Sequence, residues 1–352
     1  MAVELIGWDI GGAHLKAAAV DPSGRILAVA QEACPLWQGM DRLHAACDRV
    51  MGRLSPQADC RHGVTMTGEL VDLFSGREEG VMALAGAAME RFGLGKILVF
   101  AGHQGFIAAE AVGPEHAGAI ASANWLASGL WTADQLPEAL LVDVGSTTTD
   151  ILPICEHRVK TRGYSDYERM RYDELVYTGI VRTPLMAVAE RAPLDGEWTT
   201  LMAEIFATTA DVYRLTGELP EHADQMPAAD NGPKTPEGSA RRLARLFGRD
   251  AESAPIETWR RAAGFLRERQ LARIGEALAI QLSLGWLSDA APLVGAGVGR
   301  FLVSELAGRL RRPYLDFSEL FPMATSDHDF LAADCAPAAA LAGLASQGVS
   351  AQ

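Results

Sequence analysis

The chain is 352 residues long, 49% hydrophobic, and carries a formal net charge of −14. That length is too great for one ordinary core and comfortable for two domains, while the acidic balance excludes non-specific binding to nucleic acid or anionic membranes. The five cysteines (Cys34, Cys47, Cys60, Cys155 and Cys335) are scattered and form no C-x-x-C pair, which excludes a disulfide framework or structural zinc site and fits a reducing compartment.

An apolar run at residues 3–9 ends in Asp9-Ile10-Gly11-Gly12, and further runs follow at 15–20 and 25–30. Asp21-Pro22-Ser23-Gly24 has the chemistry of a tight turn, so the second and third runs pair as a hairpin. The glycine pair lets the first strand turn back into the second. Three antiparallel strands exclude the strand–loop–helix opening of a dinucleotide-binding or P-loop domain. No basic leader precedes the first strand and no run of about 18 apolar residues could cross a bilayer, so a cytoplasmic protein is expected.

Periodicity predicts a helix over 40–54, a strand over 63–67, a helix over 79–92, a strand over 96–100 and a helix over 117–131. A hairpin series followed by alternating helices and strands is the ribonuclease-H-like plan, assigned to a first domain at 1–135. At 140–154 the opening pattern returns as apolar strand, Asp143-Val144-Gly145-Ser146-Thr147-Thr148-Thr149-Asp150, apolar strand. This is an internal duplication, and it governs the fold. A second domain at 136–352 is therefore expected, with a helical insertion at about 185–285 and helices over 199–215, 239–247 and 256–287. Residues 160–184 are polar and read as loop and site. A strand–glycine–helix unit at 292–310, a strand at 312–317 and a small-residue helix complete the chain. The expected fold class is α/β, with two ribonuclease-H-like domains flanking a central cleft.

Three glycine loops carry the chemistry. Gly11 and Gly12 expose backbone N–H groups as an anion nest, Asp9 can position a divalent cation, and Lys16 can reach a terminal phosphate; a plain hairpin with a surface lysine is the competing explanation. In the second loop the hydroxyls of Ser146, Thr147 and Thr148 beside Gly145 suit another phosphate, because buried hydroxyls need partners. Asp143 suits the same metal. The third loop, Val294-Gly295-Ala296-Gly297-Val298-Gly299, is weak alone and also reads as a dinucleotide fingerprint, with Asp316 near the expected offset.

In this order the three loops resemble the two phosphate motifs and the adenosine motif of the actin, heat-shock chaperone and sugar-kinase superfamily. Asp-Val-Gly-Ser-Thr-Thr-Thr-Asp-Ile with Asp-Ile-Gly-Gly-Ala resembles its hydantoinase/oxoprolinase family. Further stretches at 66–70 (Met-Thr-Gly-Glu-Leu), 123–127 (Ala-Asn-Trp-Leu-Ala), 177–184 (Tyr-Thr-Gly-Ile-Val-Arg-Thr-Pro) and 203–208 (Ala-Glu-Ile-Phe-Ala-Thr) are similar to a narrower group, the methanofuran-biosynthesis synthases of methanogens and their tetrahydromethanopterin-linked homologues in methylotrophic bacteria.

The resemblance implies an actin-like fold and a transferase that couples an aminomethylfuran-methyl diphosphate to the phenol of γ-glutamyl tyramine, releasing diphosphate. It implies Mg²⁺ at Asp9 and Asp143, and diphosphate at Gly11, Gly12, Lys16, Gly145, Ser146, Thr147 and Thr148, with Gly295 and Gly297 in the third loop. Arg162, Tyr164, Asp173, Tyr177, Thr178 and Arg182 would line the acceptor pocket, and Asp150 and His103 are candidate bases that spacing does not fix. Partners are the two small substrates, with no nucleic acid or membrane and a homodimer left open. Two rivals stay open: an ATP-dependent hydrolase or kinase, for which ATP is the ligand, and a nucleotide-driven switch protein.

Overall fold

The computed structural model describes residues 2–322 and 330–348. The first strand, β1 (Leu5–Ile10), is buried along its whole length, its one charged residue, Asp9, included. It pairs antiparallel with β2 (His14–Val20), which pairs antiparallel with β3 (Ile26–Ala33). The turn between the latter two is built by Asp21, whose Oδ1 accepts from the Ser23 N–H at 2.8 Å, the Ser23 hydroxyl at 2.6 Å and the Arg25 N–H at 3.1 Å. Such local acceptance is why Asp favours turns.

Helix α1 (Met40–Leu54) buries Leu43, Cys47, Val50 and Leu54, a stripe at helical spacing. Strand β4 (Arg61–Met66) runs parallel to β1, α2 (Arg77–Phe92) follows, and β5 (Ile97–Phe100) lies parallel to β4. A short strand that sequence reading did not foresee, β6 (Phe106–Ala108), pairs antiparallel with β5. The sheet order is β3-β2-β1-β4-β5-β6, the ribonuclease-H-like arrangement expected. Helices α3 (Ala117–Ile120) and α4 (Asn124–Gln135) divide the single helix expected there.

The plan then repeats. Strands β7 (Glu138–Val144), β8 (Thr149–Cys155) and β9 (Arg158–Val159) are followed by α5 (Asp166–Arg171) and β10 (Leu175–Val176). A hairpin of β11 (Arg191–Leu194) and β12 (Glu197–Thr200) leads into α6 (Thr209–Thr216), α7 (Pro236–Leu246) and the long α8 (Ile256–Ser283). Strand β13 (Leu293–Ala296), α9 (Arg300–Leu310), β14 (Tyr314–Asp316) and α10 (Ala336–Ser346) complete the described chain. The second sheet has the order β10-β8-β7-β13-β14, with β9 on β8. It repeats the first sheet's scheme, with a hairpin on one side of the leading strand and crossover strands on the other.

Compactness does not divide the chain once near residue 135. One unit comprises 1–141, 152–168 and 315–352, and the other 142–151 and 169–314. The reason for the return of the C-terminal residues is α10. Its small side chains let it lie on the first sheet so closely that a methyl group on Gly7 would be 2.1 Å from the Ala338 carbonyl oxygen, and one on Gly343 would be 2.5 Å from the Trp131 ring. In the second unit the insertion has its own core, with Leu185, Val212, Leu243, Leu246, Trp259 and Leu266 buried together. No described helix is long and apolar enough to cross a membrane.

Candidate functional site

In the first unit, Asp9 is the penultimate residue of β1, is 5% exposed, and stands opposite Lys16 across the β1–β2 pair. The loop that follows is closed by the Gly11 N–H donating to the His14 carbonyl at 3.0 Å. A side chain on Gly11 would lie 2.8 Å from that same carbonyl, and one on Gly12 would lie 2.8 Å from Val71 Cγ1, so the loop needs both glycines. The segment after β4 seats directly on this loop: the Thr67 N–H donates to the Ile10 carbonyl at 3.0 Å, and a methyl on Gly68 would come within 3.1 Å of it.

The next residue on that segment is Glu69, which sequence reading did not assign to the site. It is 1% exposed, and its Oε1 accepts from Ser122 Oγ at 2.7 Å. Helix α2 presses on it so tightly that a methyl on Gly80 would lie 2.7 Å from the Glu69 Cα. Burial pushes its carboxyl up to about 7, against the lowering influence of the Ser122 hydrogen bond and of Arg77. The signal was present in the sequence, since Glu69 follows an apolar strand much as Asp9 and Asp143 end theirs, but no glycine pair marked it. Tyr164 lies in the same unit, where its hydroxyl donates to the Ala119 carbonyl at 2.5 Å and its ring centroid is 5.7 Å from that of His103 and 5.8 Å from that of Trp125. Burial raises its phenol to about 12. His103 and Arg162 are exposed.

In the second unit the loop after β7 repeats the first one atom for atom at its closure: the Gly145 N–H donates to the Thr148 carbonyl at 2.9 Å. The Ser146 and Thr147 hydroxyls lie 3.4 Å apart. This loop rests on residues 179–182, whose Ile180 N–H donates to the Gly145 carbonyl and whose Val181 and Arg182 N–H groups both donate to the Ser146 carbonyl, at 2.8–3.1 Å. Gly179 is indispensable to that contact, because a methyl there would lie 2.4 Å from the Thr147 nitrogen. The third loop covers the same feature from the other side: Gly297 has φ +78, and the Gly299 N–H donates to the Val144 carbonyl at 2.8 Å. Asp143, Gly145, Ser146, Thr147, Thr148, Arg182 and Gly297 are thus brought together, and Gly295 lies on β13 against the Tyr314 ring.

Beneath the loop runs a buried polar network. The Gly179 carbonyl accepts from Thr183 Oγ1 at 3.1 Å, Thr209 Oγ1 at 2.8 Å and Gln270 Nε2 at 2.8 Å. Gln270 also donates to Thr178 Oγ1 at 2.8 Å and accepts from the Tyr213 hydroxyl at 2.7 Å. Thr149 Oγ1 donates to the Thr178 carbonyl at 2.8 Å. Thr178 is completely buried in this network and has no surface to offer a ligand, whereas its neighbour Tyr177 is 59% exposed. Asp150 is engaged by Arg169, which is 1% exposed and donates to Asp150 Oδ1 at 2.8 Å; that pairing turns the carboxylate to a structural partner. Asp173 occupies a left-handed position (φ 54) in the turn before β10.

The family model of the hydantoinases and oxoprolinases matches residues 61–311. The chain belongs to the hydantoinase/oxoprolinase family. The matched span of this hydantoinase/oxoprolinase chain contains the second and third loops and Glu69, while Asp9 and the Gly11–Gly12 loop precede it. Among curated relatives, the (4-{4-[2-(γ-L-glutamylamino)ethyl]phenoxymethyl}furan-2-yl)methanamine synthase of Methanocaldococcus jannaschii is 29% identical over 72% of this chain and 74% of its own. A protein of the same name from Methanococcus vannielii is 32% identical over 32% of this chain and 50% of its own. Among solved structures, the nucleotide-free acetone carboxylase is 11% identical, with a TM-score of 0.57 over 97% of this chain and 70% of that one. The fold is of the actin-like ATPase type.

Proposed function

We propose that this chain forms an aryl ether. It couples an aminomethylfuran-methyl diphosphate to the phenol oxygen of γ-glutamyl tyramine, or of a related tyrosine-derived acceptor, and releases diphosphate. The observation that carries this reading is the likeness, over 72% of the chain, to a synthase whose name describes a phenoxymethyl-furan, an ether between a phenol oxygen and a furan CH₂.

The chemistry suits residues of this kind. A furan-CH₂ carbon carries developing positive charge because the ring oxygen donates into it, and diphosphate departs once fixed N–H groups and cations take up its charge. The reading gives that task to Gly11, Gly12, Lys16, Gly145, Ser146, Thr147 and Thr148. Among the described residues, no three His, Cys, Asp or Glu side chains gather as a metal cage. One carboxylate before each loop, Asp9 and Asp143, fits Mg²⁺, which keeps water and phosphate oxygens as most of its ligands. Held there, it would supply charge neutralisation for the departing diphosphate. The acceptor's recognition is assigned to Arg162, Tyr164, Tyr177, Arg182 and Asp173, with Thr178 acting on the loop from beneath.

The test is turnover by purified protein with Mg²⁺, the furan diphosphate and γ-glutamyl tyramine. Ether product and diphosphate in equal amounts support the reading; neither appearing overturns it. A second reading, an ATP-dependent hydrolase or kinase, is favoured by the third loop, where Gly297 holds φ +78 and leaves the backbone beside Asp143 bare of any side chain. Tight binding of Mg²⁺-ATP with measurable hydrolysis would favour that alternative.

A further inference from the structure

The geometry points to Glu69 and Ser122 as the pair that removes the proton from the acceptor's phenol, with Ser122 Oγ receiving it and passing its own proton to the Glu69 carboxylate. This rests on the ether-forming reading and adds to it the base that the loops do not supply.

Four observations converge. Glu69 sits two residues beyond Thr67, whose amide is bonded to Ile10 in the strand that ends in the glycine loop, so it belongs to the segment seated on that loop. Its Oε1 is held by Ser122 at 2.7 Å, while its Oε2, fully enclosed, finds no hydrogen-bond partner from another residue among those described. A carboxylate kept only for structure is expected to have both oxygens satisfied, because an unmet buried acceptor is costly. Ser122, which makes that bond, holds left-handed backbone at φ 52, a conformation a non-glycine residue resists. The charged groups nearest Glu69 on the elements around it are Arg77 of α2 and Asp166 of α5, themselves ion-paired at 2.8 Å, so they largely offset one another. Burial therefore dominates, and the carboxyl titrates at about 7, where an acceptor of protons is most useful.

The step balances. The phenol oxygen forms its bond to the furan CH₂ carbon as the carbon–oxygen bond to diphosphate breaks, the bonding pair leaving with diphosphate. The phenolic proton moves to Ser122 Oγ as the Ser122 proton moves to Glu69, and it is later lost to solvent.

The experiment compares wild type, Glu69→Gln and Ser122→Gly with a series of ring-fluorinated acceptors of falling phenol pKa. The glycine variant removes the hydroxyl while tolerating the left-handed backbone. We expect kcat to fall about 10²–10⁴-fold with the natural acceptor in both variants, with Mg²⁺-diphosphate affinity unchanged and the loss shrinking steadily as the phenol becomes more acidic. An equal loss with every acceptor, or full activity in Glu69→Gln while wild type turns over, overturns this assignment alone. Wild type that forms no ether and releases no diphosphate overturns the parent reading, and this one with it.

Discussion

Gly297 crosses Asp143 so closely that a methyl group on its α-carbon would lie 2.4 Å from the Asp143 carboxylate oxygen Oδ1. The same methyl would lie 2.3 Å from the Val144 carbonyl, and the residue already holds φ +78. Gly297→Ala is therefore expected to displace the second loop. Isothermal titration should show Mg²⁺-diphosphate affinity falling at least tenfold. Gly217→Ala is the control: it shares left-handed backbone (φ +80) but meets nothing within 4 Å. It should cost about 1–2 kcal/mol of stability and leave affinity unchanged.

The network under the loop should act as one unit. Gln270→Leu removes two donations, to Thr178 and Gly179, and strands the Tyr213 hydroxyl, so a loss of about 2–4 kcal/mol is expected in urea unfolding. Tyr213→Phe alone should cost about 1 kcal/mol. The double variant should cost clearly less than the sum, because the two side chains share a bond.

Two buried groups tilt stability against pH in opposite directions. His62, which accepts from Trp8 Nε1 at 3.0 Å and is stacked against Phe92, is pushed by burial down to about 4. Its contribution is fully present above pH 6.5 and lost as pH falls towards 4. Glu69, raised to about 7, does the reverse: its contribution is present below about 4.5 and lost as pH rises through 7. Each amounts to about 3 kcal/mol, so over pH 4.5–6.5 they nearly cancel. Glu69→Gln should therefore become progressively more stable relative to wild type as pH rises from 4.5 to 7. Unfolding titrations at several pH values would show it, and a pH-independent difference would refute it.

Asp9→Asn and Asp143→Asn test the metal assignment. Each should weaken diphosphate binding in the presence of Mg²⁺ and have little effect in the presence of a chelator. Calorimetry that shows the same loss with and without Mg²⁺ would assign these carboxylates to loop structure instead.

The duplicated hairpin was legible because its information is local: an apolar strand, an acid, glycine and a return strand occur within fewer than twenty residues, Leu5–Val20 in one copy and Glu138–Cys155 in the other. The paired N–H bonds of Gly11 and Gly145 are its structural expression. The β11–β12 hairpin was missed although Asp195-Gly196, at φ 50 and 84, is a turn signal of the strongest kind. The strands are short, Pro193 interrupts the alternation, and the helix expected over 199–215 runs into the end of β12; α6 begins only at Thr209. Gln270 was readable in principle, being a polar residue in line with Leu266 and Ile274 on the buried face of α8. Its partners were not, because they lie more than fifty residues away. Ser122 was hidden for a related reason: nothing in its neighbourhood announces left-handed backbone in a non-glycine residue.

The seat of α10 on β1 has a consequence for how the protein is made. The strand that begins at Leu5 waits for its cover until residues near Ala338 and Ala342 have been synthesised, so the face that Gly7 presents stays bare on the ribosome while most of the chain is translated. At roughly 5–20 residues per second that interval lasts tens of seconds. The second unit, whose residues all precede 315, is free to fold first, and the order of completion is then the reverse of the order of synthesis. Truncations that remove α10 should accordingly be recovered as aggregates or chaperone-bound chains, with the insertion core intact inside them.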